Sequence, residues 1–74
     1  MALSVILNGQ QREFEQLASG ASLEALVQTL ELKADRVAVE HNGQIAQRGS
    51  WSELPVNSGD RLEIVHFVGG GTAN

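Results

Sequence analysis

Cysteine is absent from all 74 residues. This excludes disulfides, thiolate zinc sites, iron–sulfur clusters and a cysteine nucleophile. A chain this short often depends on such staples, so its core has to come from regular secondary structure alone. Basic runs are absent too. Nine acidic residues against five basic ones give a net charge of −4, the wrong sign for tracking a phosphate backbone. A mildly acidic surface suits docking onto a basic face of a protein partner. No apolar stretch approaches the roughly 20 residues that span a bilayer, and the N-terminus lacks the basic segment and long apolar core of a secretory signal. A cytoplasmic protein with no nucleic-acid and no membrane partner is the expectation. Internal repeats and low-complexity segments are also missing.

The hydrophobic fraction of 42% is enough for a folded domain. Leu3-Ser4-Val5-Ile6-Leu7 reads as a strand, with Leu3, Val5 and Leu7 on one face. Ile6 on the other face suggests burial on both sides and a central position. Asn8-Gly9 is a hairpin signal, and Gln10 to Phe14 returns antiparallel. Ser22 is a helix cap. Leu23, Leu26, Val27 and Leu30 form one apolar stripe, which predicts an amphipathic helix of about two to three turns. Val37-Ala38-Val39 is the next strand core, and Asn42-Gly43 turns it into Gln44-Ile45-Ala46. Ser50-Trp51-Ser52-Glu53 has capping-box spacing, which predicts one helical turn capped by Ser50; Pro55 limits its length. Trp51 is expected to anchor this segment to the core.

Ser58-Gly59-Asp60 is a turn, and Arg61 to Val68 is the last strand. Leu62, Ile64, His66 and Val68 alternate with Glu63, Val65 and Phe67, again suggesting burial on both faces. Two central strands at opposite ends of the chain, with one helix packed across the sheet, describe an α+β fold. It is a β-grasp (ubiquitin-like) architecture, a mixed sheet of four to five strands with one main helix and a short helical turn. Residues 1–68 are expected to form that domain and residues 69–74 a flexible, glycine-rich tail. Gly69-Gly70-Gly71 carries no side chains, so it forms an arm thin enough for a narrow channel in another protein.

The histidines, His41 and His66, have no metal-ligand spacing between them or toward Glu40 and Glu63. The carboxylates Glu13, Glu15, Glu40, Glu53, Asp60 and Glu63 are scattered, and solvated faces account for them. No helix follows the triple glycine to make it a phosphate loop. Phe67, just before the glycines, is a candidate partner anchor, with Val68 beside it. For Arg48 and Arg61, solvation is preferred over contact with a partner.

Val37-Ala38-Val39-Glu40, Asn42-Gly43, Ile45, Arg48, Trp51 and the block from Gly59 through His66-Phe67-Val68-Gly69-Gly70-Gly71 resemble the ThiS sulfur carrier proteins of thiamin biosynthesis. Those are relatives of the MoaD carriers and of ubiquitin. The resemblance covers nearly the whole chain and departs at two places. Gln47 precedes Arg48 where the family commonly has proline, which is expected to loosen the local turn. Thr72-Ala73-Asn74 follows Gly71 where family members usually end.

The resemblance implies a carrier that is a substrate and not an enzyme, and that binds no cofactor of its own. A ThiF-like adenylyltransferase would use ATP and magnesium to activate a terminal glycine carboxylate. A persulfide donor, charged by a cysteine desulfurase, would supply sulfur to form a thiocarboxylate. A ThiG-like thiazole synthase would accept it. The modified residue carried over is Gly71, with Gly70 second, and the partner contacts are Phe67, Val68, Gly69 and Gly70. Because an amide carbonyl cannot be adenylated as a carboxylate can, a peptidase is expected to remove Thr72-Ala73-Asn74. Two other readings stand beside this one: a ubiquitin-like interaction module whose tail is never activated, and a carrier feeding molybdopterin or another sulfur-containing metabolite.

Overall fold

Two hairpins are built on the two Asn-Gly dipeptides. The computed structural model describes residues 2–67. In it, β1 (Leu3–Leu7) and β2 (Gln10–Phe14) pair antiparallel through Asn8-Gly9, with φ of +50° and +82° at the turn. After β3 (Ala21–Ser22) comes α1 (Leu23–Thr29), and a 3₁₀ turn over Ala34–Arg36 leads on from it. β4 (Val37–His41) and β5 (Gln44–Ala46) then form the second hairpin through Asn42-Gly43, at +52° and +85°. Positive φ at both central positions matches the right-handed twist of the strands, and Asn followed by Gly tolerates it at little cost.

The chain closes with a 3₁₀ segment (Arg48–Glu53), β6 (Pro55–Val56) and β7 (Arg61–His66). β7 inserts between the hairpins, parallel to β1 and antiparallel to β4, giving the order β2-β1-β7-β4-β5. β3 and β6 pair separately as a two-stranded ribbon. The first and last strands are thus adjacent, as their patterns suggested.

α1 starts where Ser22 Oγ accepts from the Ala25 N–H at 3.0 Å, satisfying one of the donors orphaned at a helix start. It buries Leu23, Leu26 and Val27 against the inward residues of the sheet: Leu3, Val5, Val37, Val39, Leu62 and Ile64. It ends in a Schellman arrangement. The Leu32 N–H reaches the Val27 carbonyl at 3.2 Å and the Glu31 N–H reaches that of Gln28 at 2.9 Å, with Glu31 at φ +62°, where glycine is the usual occupant. Trp51 is buried and donates its indole N–H to the Ala46 carbonyl at 2.9 Å, so it anchors its segment as expected.

Three expectations are corrected. The helical turn near Trp51 is a 3₁₀ segment that begins at Arg48, not at Ser50. Gln47 occupies its cap position without a side-chain bond, and the Ser50 N–H is already inside the turn, bonded to the Gln47 carbonyl. Gln47 adopts φ −68° and ψ 135°, so the backbone there keeps the shape proline would impose. The final strand stops at His66, and Val68 lies outside the described residues.

The third correction concerns burial. β1 and β7 are central in the sheet, but they are covered on one face only. Ile6, Val65 and Phe67, together with Ile45 of β5, face solvent, because α1 covers one side of the sheet and no described element covers the other.

Candidate functional site

β7 lies between two neighbours up to Leu62, where its parallel ladder with β1 ends at the pair Leu7 and Leu62. β4 accompanies it further, to His66 opposite Val37. One more bond extends that side: the Phe67 N–H donates to the Arg36 carbonyl at 3.0 Å. Phe67 is therefore held by its backbone while its ring is left 54% exposed. It borders an open groove of about 390 Å³ that also includes Ala38, Ile45, Gln47, Arg48 and Gly49. Of the expected modification and partner-contact residues, Phe67 is the one whose surroundings are described. Val68, Gly69, Gly70 and Gly71 lie outside the described residues.

The uncovered sheet face around this point is apolar at its centre. Val65 is 60% exposed and sits opposite Ala38 across the β4–β7 ladder. Ile45, 75% exposed, flanks Glu40 on the β5 side. A bare apolar group standing singly on a surface is ordinary, whereas neighbouring ones on an uncovered sheet face are what a contact surface requires. Sequence reasoning chose Phe67 and passed over Val65 and Ile45. The available signal was the same period-two alternation, read as burial instead of exposure.

The two histidines have separate fates. His66 is exposed. His41 Nε2 lies 2.7 Å from Asp60 Oδ2, and that carboxylate oxygen also accepts the Asn57 N–H at 2.9 Å. Partial burial pushes the Asp60 carboxyl up, but the Asn57 backbone bond, the His41 bond and charge and a contribution from Asn42 outweigh it, so its pKa lies below the usual value. This cluster pins the turn before β7 to the end of β4. Among the described residues, no three His, Asp or Glu side chains gather as metal ligands would, and no helix is long and apolar enough to cross a membrane. Arg48 is not simply solvated: its Nε–H donates to the Ala34 carbonyl at 2.9 Å, tying the two 3₁₀ segments together.

A mixed five-stranded sheet with its last strand in the middle and one helix across one face defines a ubiquitin-like β-grasp domain. The chain belongs to the ThiS family, whose pattern matches residues 5–71. It is similar to the thiazole synthase of Paramagnetospirillum magneticum, at 39% identity over 70 residues, covering 95% of this chain and 21% of that protein. It is also similar to the thiazole synthase of Magnetococcus marinus, at 35% over 69 residues, covering 93% and 20%. The chain thus spans about one fifth of the length of these curated relatives.

Among solved structures, it resembles the crystal structure of the thiamine biosynthesis protein (ThiS) from Geobacter metallireducens. The TM-score is 0.79 and the identity 28%, over 93% of this chain and all of that one. The solution structure of a thiamine biosynthesis protein from the same organism gives a TM-score of 0.76 at 27% identity, over 97% and 92%.

Proposed function

We propose that this chain is a sulfur carrier of thiamin biosynthesis, loaded at the carboxylate of Gly71 and unloaded by a thiazole synthase. The observation that carries the reading is the family match, which runs through residue 71 and so includes the triple glycine. The exposed apolar face beside Phe67 supports it, because a carrier has to be held by each enzyme that acts on its end. Relatives named thiazole synthase that contain a stretch similar to nearly all of this chain support a ThiG-like acceptor.

The chemistry needs a free carboxylate. In a partner that holds ATP and magnesium, a glycine carboxylate attacks the α-phosphorus and pyrophosphate leaves, giving an acyl-adenylate. A persulfide sulfur then attacks the acyl carbon and AMP leaves. Cleavage of the S–S bond by a thiol releases the thiocarboxylate. Glycine suits both steps, since it has no Cβ to obstruct either attack. In the sequence Gly71 is followed by Thr72, so cutting after Gly71 has to precede activation, with Gly70 as the second-choice site. The carrier contributes no catalytic residue and holds no cofactor; ATP and magnesium belong to the adenylyltransferase.

The test is intact mass spectrometry on a form ending at Gly71 after incubation with a ThiF-like adenylyltransferase, ATP, magnesium and a persulfide donor. A product heavier by the exchange of one oxygen for sulfur is expected. A fully unmodified mass, with no ATP–pyrophosphate exchange, would sink the proposal and favour the second reading, an interaction module. The same uncovered face supports that reading.

A further inference from the structure

Past Ile64 the last strand is held from one side. Its ladder with β1 ends at Leu62, and the Asn8 side chain bonds both backbone groups of Ile64. β4 alone continues beside it, to His66. Among the described residues, the last backbone bond before the glycines is the one from the Phe67 N–H to the Arg36 carbonyl, at 3.0 Å.

That acceptor does not belong to a strand. Arg36 closes the 3₁₀ turn Ala34–Arg36, which has no buried residue and no side-chain cap at Lys33. Packing therefore does little to fix it. Arg48 holds it from outside, donating its Nε–H to the Ala34 carbonyl at 2.9 Å. A charged donor makes a stronger bond than a neutral one. Arg48 in turn opens the second 3₁₀ segment, whose Trp51 is buried and bonded to the Ala46 carbonyl. A connected path thus runs from the core at Trp51 through Arg48, Ala34 and Arg36 to Phe67.

Resting on the carrier reading above, we infer that Arg48 is a positioning residue for the modified end. It fixes the exposed 3₁₀ turn, and through the Arg36 carbonyl it fixes Phe67, two residues before Gly69. A carrier whose root is already ordered loses less conformational entropy when the adenylating enzyme takes up its end. Arg48 and Phe67 also border one open groove, so direct contact of Arg48 with the enzyme is the competing route.

The experiment separates the two. Amide hydrogen exchange at Phe67 and Ile64 is followed by NMR in the free 74-residue chain, as wild type and as Arg48→Met, which keeps an apolar stem and removes the donor. Arg12→Gln, on the edge strand β2, controls for the loss of one positive charge. Steady-state ATP–pyrophosphate exchange with a ThiF-like adenylyltransferase then uses synthetic forms ending at Gly71. These are the wild type, Arg48→Met, a form in which an ester oxygen replaces the Phe67 N–H, and the combination.

Arg48→Met should speed exchange at Phe67 about tenfold and leave Ile64 unchanged. The KM for the carrier should rise about fivefold in Arg48→Met and in the ester form, with kcat unchanged. The combination should be no worse than the ester alone, because both changes act on one bond. Unchanged exchange at Phe67 overturns the inference, as does an equal effect from Arg12→Gln. Equal acceleration at Phe67 and Ile64 overturns it as well, since that is general destabilisation. KM effects that multiply in the combination overturn it in favour of direct contact. Faster Phe67 exchange in Arg48→Met, with no ATP–pyrophosphate exchange even in the wild type, supports the path to Phe67 and refutes the carrier chemistry.

Discussion

Asn8 stands in for a strand beside Ile64. Its Oδ1 accepts from the Ile64 N–H at 2.8 Å and its Nδ2 donates to the Ile64 carbonyl at 3.2 Å. β1 turns away after Leu7, and without this amide the inner half of β7 would leave both backbone groups of Ile64 unpaired on that side. Asn42, in the equivalent turn of the other hairpin, bonds no second backbone group of β7: its Nδ2 lies 3.4 Å from His41 Nε2 and helps to lower the Asp60 pKa. The Asn42 Oδ1 takes the Arg61 N–H at 2.8 Å.

The two asparagines therefore respond differently to the same change. Asn8→Asp replaces the donor with an oxygen facing the Ile64 carbonyl and should cost about 1–3 kcal/mol. Asn42→Asp keeps the acceptor for Arg61 but sets a like charge beside Asp60, and should cost less, about 0.5–1 kcal/mol. Urea denaturation of both variants checks this. Equal losses would show that turn conformation, and not the amide, sets the effect.

Glu31 is the only α1 terminus residue in a left-handed conformation, at φ +62°, with both Schellman bonds made. Glycine takes that conformation without Cβ strain, so Glu31→Gly should stabilise the domain by about 0.5–1 kcal/mol. A rise in Tm with an unchanged denaturant slope is the expected outcome. A fall would mean that the carboxylate contributes more than the backbone strain removes.

The Asp60 carboxyl is held below its usual pKa of 3.8 by its bonds from Asn57 and His41. A depressed carboxylate pKa contributes stability above the unfolded value and loses it as pH falls through the folded one. Wild-type stability should thus decline below about pH 4 in a way that Asp60→Asn does not share, with the two proteins converging in acid. Unfolding free energy measured between neutral pH and about pH 2 checks it. Parallel curves would remove Asp60 from any part in acid unfolding.

Val65 and Phe67 lie on the bare face, while Ile64, immediately before Val65 in the chain, is buried. Ile64→Ala should cost about 2–5 kcal/mol. Val65→Ser and Phe67→Ala should change stability by less than about 1 kcal/mol yet weaken adenylation by a ThiF-like partner. Stability and exchange assays on the three variants separate core from contact surface. Comparable destabilisation by all three would mean that the outer face is structural.

These contrasts also mark what the sequence could and could not reveal. The Asn-Gly turns, the Ser22 cap and the leucine stripe each act within a few residues, and the structure has them where the pattern put them. Whether Val65 is buried or bare is not local. Apolar residues on both faces of a strand look alike in sequence whether the fold covers the second face or leaves it for a partner. His41 and Asp60 meet only because β4 and β7 run antiparallel, and no spacing encodes that. Ser50 shows the opposite failure, a correct local signal for a cap displaced by a tighter turn that begins two residues earlier. The glycine run suggests its chemistry through resemblance alone, and its placement lies outside the described residues.

β7 is the last of the described strands yet central in the sheet, between β1 and β4. Each hairpin can form as soon as its own residues are made, but neither can join the other until residues 61–66 arrive. Contacts between the chain's two ends are slow to form because a long loop must close first. The segment leading to the glycines is thus also the one that completes the fold. Under the carrier reading proposed above, an unfolded chain would offer an adenylating enzyme no assembled sheet face to hold. Folding would then be a precondition for modification.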